Sequence, residues 1–318
     1  MIGFLARTCL AAAALLAAIG PLHAQTYPAK PVQMIVHFNP GAVVDILGRV
    51  FAEEMSQLLG QQFVVVNREG AAGVIATSSL AQARPDGYTL AFTPPGSITI
   101  QPHLKKDLPY TVESFAPVCQ VFENQFVVLV GPKSPFKTFK EVADFARANP
   151  NKLSFGVFGV GSVPHLQFHS LLLDAKLQMT QVPYRSIAQM TTDVGAGQLD
   201  LGVTAFGSFG GAPVQVLVAL GNERSELYPD VPSAKELGFR VSDAAYGGLI
   251  APKGTPPEFL KTLETACEKA AKTPRWKDVL KRTGSPGPYL GSEAYAKRLR
   301  EDSRVKAELV RALDLKIE

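Results

Sequence analysis

The chain of 318 residues has few cysteines, three in all, and beyond its first residues no apolar run long enough to cross a membrane. A spanning helix needs about 20 consecutive apolar residues, and the apolar segment Cys9 to Ile19 falls short of that. It follows Arg7 and leads into Leu22-His23-Ala24, the charged start, apolar middle and small-residue end of an export signal. Cleavage after Ala24 is expected, with residues 1–24 as signal peptide and a soluble, periplasmic chain beginning at Gln25. Cys9 has no lipobox around it and leaves with the signal. One-signed charge is also scarce. The net charge is +4, falling to +3 without Arg7, and Lys and Arg are scattered along the chain, so nucleic acid is excluded as a partner. The local marks of catalysis are missing too: there is no GxSxG elbow, no Cys-His signature, no P-loop and no HExxH. Gly159-Val160-Gly161-Ser162 matches only part of a dinucleotide fingerprint. The chain is therefore read as no enzyme, with no cofactor and no metal.

Two cysteines remain after cleavage, Cys119 in an apolar strand-like run and Cys267 in a helical stretch. An oxidising compartment permits a bond between them, but the pair is read as two buried free thiols.

What the chain does have is 46% hydrophobic residues, enough for substantial cores, in a repeating strand–turn–helix pattern. Met34-Ile35-Val36 reads as a buried parallel strand. Asn39-Pro40-Gly41 turns the chain into a helix whose apolar residues Leu47, Val50, Phe51, Met55 and Leu58 recur at helical spacing. Strands follow at Gln62 to Asn67 and Tyr88 to Phe92, separated by a glycine turn at Gly70 to Gly73 and a helix from Val74 to Ala83. Pro94-Pro95-Gly96-Ser97 closes the third strand, with Ser97 expected to cap a short helix. Two extended segments between Phe115 and Gly131 meet near Glu123-Asn124, where the chain is expected to cross into a second domain.

There the pattern repeats. A helix from Lys137 to Ala148 precedes a strand from Leu153 to Val157, the turn Gly159 to Ser162 and a helix from about Pro164. Strands are expected at Gln181 to Tyr184, Leu199 to Val203 and Gln215 to Leu220, with Leu249 to Pro252 as the return crossing. Pro256 to Ala271 and Ser292 to Leu313 read as amphipathic helices on the first domain. This is an α/β fold of doubly wound units, divided into domain 1 (25–122 and 249–318) and domain 2 (123–248). A short strand-to-helix turn leaves backbone N–H groups unpaired at the positive end of the helix dipole, which favours an anion. Two such corners facing each other across a cleft would hold a small acidic ligand.

Several motifs carry a family resemblance from about Tyr27 to the end: Tyr27-Pro28-Ala29-Lys30-Pro31, Phe38-Asn39-Pro40-Gly41 with Asp45, Asn67-Arg68 with Gly70 and Gly73, and Pro85-Asp86-Gly87-Tyr88-Thr89-Leu90. Further along come Val182-Pro183-Tyr184-Arg185, Gly197-Gln198-Leu199-Asp200, Pro229-Asp230-Val231-Pro232 and Leu249-Ile250-Ala251-Pro252-Lys253-Gly254-Thr255-Pro256. In this order they resemble the Bug (TctC-type) extracytoplasmic solute receptors of tripartite tricarboxylate transporters. The resemblance implies a periplasmic binding protein of type II, two α/β lobes closing on a small organic acid. It also implies a monomer that delivers ligand to membrane permease subunits, the alternative partner being a sensor histidine kinase. One ligand carboxylate would be held by backbone N–H groups and bridging waters rather than by an arginine.

Carried over by position, the first corner comprises Phe38, Asn39, Gly41, Ala42, Val43 and Asp45, with Ser97 beside it. The second comprises Phe158, Gly159, Val160, Gly161 and Ser162, with His165 nearby. Tyr184, Arg185, Ser186 and Ala188 match a further contact loop, and Thr204 matches a position that often carries a ligand-facing polar residue. Ala42 and Val44 replace the family's usual glycine and threonine, and the stretch Phe206 to Ala212 is shorter than its pattern. With Val43, Val44, Val157, Phe158 and Val160 as walls, the expected ligand is less polar than citrate, a monocarboxylate or an aromatic acid. Asp45 either orders waters over the ligand or complements the first helical turn. Tyr184 is either pocket wall or packed core. Arg185 is read as solvated, its other role being a charge-assisted bond to a second acid group. His165 and His169, four apart on a helix, are read as a pocket-edge and a packed histidine, not as a zinc site.

Overall fold

The computed structural model describes residues 27–159, 161–184, 186–225, 228–239 and 245–313. The expected signal peptide, Val160 and Arg185 lie outside the described residues.

The first sheet is built on the strands β1 (Val32–Val36), β2 (Phe63–Asn67) and β3 (Thr89–Thr93), linked by α1 (Val43–Leu59) and α2 (Val74–Ala81). β1 lies between the other two, parallel to both. β4 (Phe115–Asn124), β10 (Ala245–Pro252) and the short β11 (Leu290–Gly291) extend it antiparallel, giving the order β11-β4-β10-β3-β1-β2. Strand alternation sends Val32, Met34 and Val36 to one face and Ile35 to the other. The first face packs under α1, α8 (Pro257–Ala270) and α9 (Pro274–Thr283), around Phe51, Phe92, Phe122 and Trp276. The second packs under α2 and α10 (Ser292–Ala312), around Tyr246, Tyr295 and Leu299. Between β3 and β4 lie two one-turn helices, α3 (Gly96–Thr99) and α4 (Gln101–Leu104).

The second sheet repeats the plan. β6 (Ser154–Phe158) lies parallel between β7 (Thr180–Tyr184) and β8 (Leu201–Ala205), with β5 (Phe126–Val130) and β9 (Gln215–Leu220) antiparallel, in the order β7-β6-β8-β5-β9. Phe126, Val128 and Val130 join the core under α5 (Phe139–Ala148) and α6 (Val163–Asp174). Val127 and Leu129 join the one under α7 (Ile187–Ala196). Helices cover both faces of each sheet, which explains why the parallel strands are nearly continuous apolar runs.

The structure departs from the sequence expectations in particular places. Cys119 and Cys267 are not free thiols: they form a disulfide, their Cα atoms 6.5 Å apart. β4 and α8 pack directly and place both cysteines, fully buried, in one core. α9 was not expected, although Thr273 caps it by accepting from the Trp276 N–H (3.1 Å) and Gly284 ends it at φ +62°. Its charged face hides the stripe of Trp276, Val279 and Leu280. Ser97 is no cap: Pro95 holds that position, and the Ser97 hydroxyl pairs with Thr77 Oγ1 at 2.6 Å. Of the apolar positions on α1, Leu47, Phe51 and Met55 are buried, whereas Leu58 is exposed.

Candidate functional site

A cavity of 420 Å³ is lined by both sheets. Its walls come from the carboxyl ends of the parallel strands: His37 and Phe38 after β1, Gly70 to Gly73 after β2, Pro94, Gly96 and Ser97 after β3, and from the second sheet Phe158, Tyr184 and Thr204. Loops at these ends diverge to either side and leave a crevice, where ligands of open α/β sheets bind.

At the first corner, Ala42 N–H donates to Asn39 O (3.1 Å), and Gly41 adopts φ +85°, where a Cβ would be strained. Gly41 N–H donates to Asp45 Oδ2 at 2.9 Å. The same carboxylate accepts from Arg49 Nε (2.9 Å) and from Asn67 Nδ2 (2.7 Å), while Asn67 Nδ2 also donates to Phe38 O (2.8 Å). Burial would raise the Asp45 pKa, but the hydrogen bonds from Arg49, Asn67 and Gly41 outweigh it and hold the carboxyl below its usual range. Asp45 thus clamps the turn from behind. The next N–H groups, of Val43, Val44 and Asp45, meet no acceptor among the described residues, and Val43 and Val44 line the cavity. These are the free donors of a 17-residue helix.

At the second corner, Gly159 and Gly161 sit at φ +72° and +75°. Ser162 N–H donates to Gly159 O (3.0 Å) and its hydroxyl to Phe158 O (2.8 Å). The Gly161 peptide is held by side chains on both sides: its N–H donates to His165 Nδ1 (3.1 Å), and its carbonyl accepts from Gln101 Nε2 (3.1 Å). Nδ1 is therefore the bare nitrogen of His165, and Nε2–H donates to Gln181 Oε1 (2.8 Å), which also takes His169 Nε2 (2.9 Å). Burial, reinforced by neighbouring His169, pushes His165 down to about 4. Pro164 offers no N–H, so α6 has no donor at its second position, and the N–H of Val163, which lines the cavity, opens the helix.

The remaining wall is mostly apolar. The Tyr184 ring faces the cavity while its hydroxyl donates to Asp193 Oδ2 (2.7 Å); burial and that carboxylate raise its pKa to about 12. Thr204 is 2% exposed and its hydroxyl has no partner among the described residues. The turn from Gly70 to Gly73 is left-handed throughout, including Ala71 (φ +48°) and Ala72 (φ +51°), an unusual strain for alanine that sits at the cavity wall. Among the described lining residues Glu69 is the one carboxylate, and no Lys or Arg is present.

Of the residues singled out from sequence, the structure brings Phe38, Asn39, Val43, Ser97, Phe158 and Gly159 to the cavity, and with them Ser162, Tyr184 and Thr204. Gly41, Ala42 and Asp45 form the back of the first corner, and Gly161 and His165 the back of the second, so His165 is buried behind the wall instead of at its edge. Ser186 and Ala188 face outward on α7; Ile187 between them reaches the cavity. Val157 is core, not wall. His37, Asn124, Phe126 and Ala245 were missed. The carboxyl-end position of His37 on β1 was the available signal, and the others enter through the crossing strands.

Two α/β sheets joined by crossing strands, with a ligand-sized cavity at their facing edges, define a two-lobed solute-binding protein of the type II periplasmic fold. The chain matches the family described as "Tripartite tricarboxylate transporter family receptor" over residues 47–315. The protein BugT of Bordetella pertussis is 31% identical over 257 residues, spanning 79% of this chain and 79% of the relative. The structure of the periplasmic binding protein BugD superposes with a TM-score of 0.80 at 27% identity, covering 92% of this chain and all of BugD. MatC from Rhodopseudomonas palustris, solved with bound malate, gives 0.78 at 27% identity, with 89% of this chain and 100% of MatC covered. The chain belongs to the tripartite tricarboxylate transporter family of receptors.

Proposed function

We propose that this receptor captures a small organic acid with a single carboxylate and hands it to the membrane subunits of a tripartite tricarboxylate-type transporter. The observation that carries this reading is the first corner: three free N–H groups open a long helix, two of their residues line the cavity, and no described lysine or arginine shares that wall. Oriented peptide dipoles in a cavity drier than bulk water stabilise a carboxylate without a buried cation. Malate in MatC supports a carboxylate as the ligand class. The apolar wall of Phe38, Val43, Val44, Phe126 and Phe158 supports an acid less polar than a tricarboxylate.

On this reading the lobes divide near 25–122 with 249–318 and 123–248, and they close over the ligand as a monomer. The mature chain starts at Gln25 in the periplasm, which N-terminal sequencing of exported protein tests. Among the described residues no helix is long and apolar enough to cross a membrane. Titration calorimetry of the mature protein against mono-, di- and tricarboxylates tests the ligand class. Binding confined to monocarboxylates is the expected result, and binding confined to tricarboxylates overturns it.

A further inference from the structure

His37 directly follows β1 and is half-buried in the cavity wall. Its Nδ1 meets Thr93 Oγ1, and that hydroxyl lies 3.0 Å from Pro94 O. A hydroxyl has one proton to give. That proton goes either to Pro94 O or to Nδ1, so the Thr93 contact fixes the place of the ring and leaves both tautomers open. The ring is neutral, because burial pushes it down to about 3, so Nε2 is either a bare acceptor or an N–H donor. No described residue bonds to it. The ring is also fixed in place. It packs on Phe38 with centroids 4.1 Å apart, and a Cβ on Gly73 would lie only 3.1 Å from its Cγ.

We propose that His37 is a specificity-determining residue whose Nε2 exchanges a hydrogen bond with a hydroxyl on the bound acid, a group that can donate or accept, making the preferred ligand a hydroxylated monocarboxylate. This deepens the carboxylate reading above and rests on it. Glu69, the one described lining carboxylate, repels a second acid group in this wall. A neutral hydroxyl suits the apolar surroundings better than an ammonium, whose desolvation costs far more. The buried hydroxyl of Thr204 in the opposite lobe, without a partner among the described residues, is a second neutral polar group.

The test is calorimetric titration of the mature protein with butanoate and phenylacetate, each against its hydroxylated derivatives, and with succinate. A hydroxylated derivative is expected to bind about tenfold tighter than its parent, the worth of one good neutral hydrogen bond. His37→Leu should bring that ratio to about one, and His37→Gln, which keeps a neutral hydrogen-bonding group at the side-chain tip, should restore part of it. Equal binding of parents and derivatives by the unaltered protein, a preference surviving in both variants, or succinate binding tighter than butanoate would each overturn the role of His37. Failure of every acid to bind would instead count against the carboxylate reading, and against this one with it.

Discussion

Replacing Thr204 by valine separates what this residue does for stability from what it does for binding. Thr204 pairs with Val127 across β8 and β5 in the middle of the second sheet, and its hydroxyl is buried without a partner among the described residues. In the unfolded chain that hydroxyl is hydrated, so folding charges its desolvation with no compensating bond, a cost of about 1–3 kcal/mol. Valine has the same shape and equal liking for a strand. Thr204→Val should therefore raise the unfolding free energy of the ligand-free protein by about 1 kcal/mol, or Tm by about 2 °C for a chain of this size. If the hydroxyl meets the ligand, affinity should fall about tenfold at the same time. Urea denaturation followed by circular dichroism gives the first quantity and titration calorimetry the second. A variant that is less stable contradicts an unpaired buried hydroxyl, and one that binds as tightly as before shows that the hydroxyl does not meet the ligand.

Asp45→Ala removes the acceptor shared by Gly41 N–H, Arg49 and Asn67. Since Arg49 is 47% exposed its pairing counts for little, and the expected loss is about 2–3 kcal/mol in urea, with ligand affinity down at least tenfold. Reducing the Cys119–Cys267 bond, which joins residues 148 apart, should lower stability by about 2–5 kcal/mol; unfolding curves with and without dithiothreitol check this. Acid should weaken the fold in a defined window. His37 and His165 titrate near 3 and 4 when folded, His169 is also lowered, and all have an ordinary value of 6.5. Below 6.5 the unfolded chain binds more protons, so stability is complete above that pH and declines toward pH 3, by roughly 1–2 kcal/mol at pH 5 for each of His37 and His165. Urea midpoints that stay constant between pH 7 and 5 would contradict it.

Much of the architecture was legible because burial writes itself into the chain. Gln215 is followed by a continuous apolar run from Val216 to Leu220, and the strand falls where that run lies. The glycines at 41, 159 and 161 marked both corners, since a left-handed turn into a helix tolerates little else. Other features depend on partners distant in sequence. The disulfide required knowing that α8 packs on β4, and no spacing between Cys119 and Cys267 encodes that. The retreat of His165 behind the wall follows from its bonds to Gly161 and Gln181, on separate elements. The helix α9 was hidden by five charged residues on its outward face, although Thr273 and Gly284 already bracketed it.

On the proposed reading, peptide N–H groups at the head of α1 hold the ligand's acid group. The most direct measurement is a crystal structure of the protein with a bound acid found by titration. A carboxylate oxygen should lie about 3 Å from the N–H of Val43 or Val44, with Ser162 and Val163 of the other lobe closing over it. An acid bound elsewhere, or one gripped by a lysine or arginine side chain while those N–H groups point away, would contradict the account.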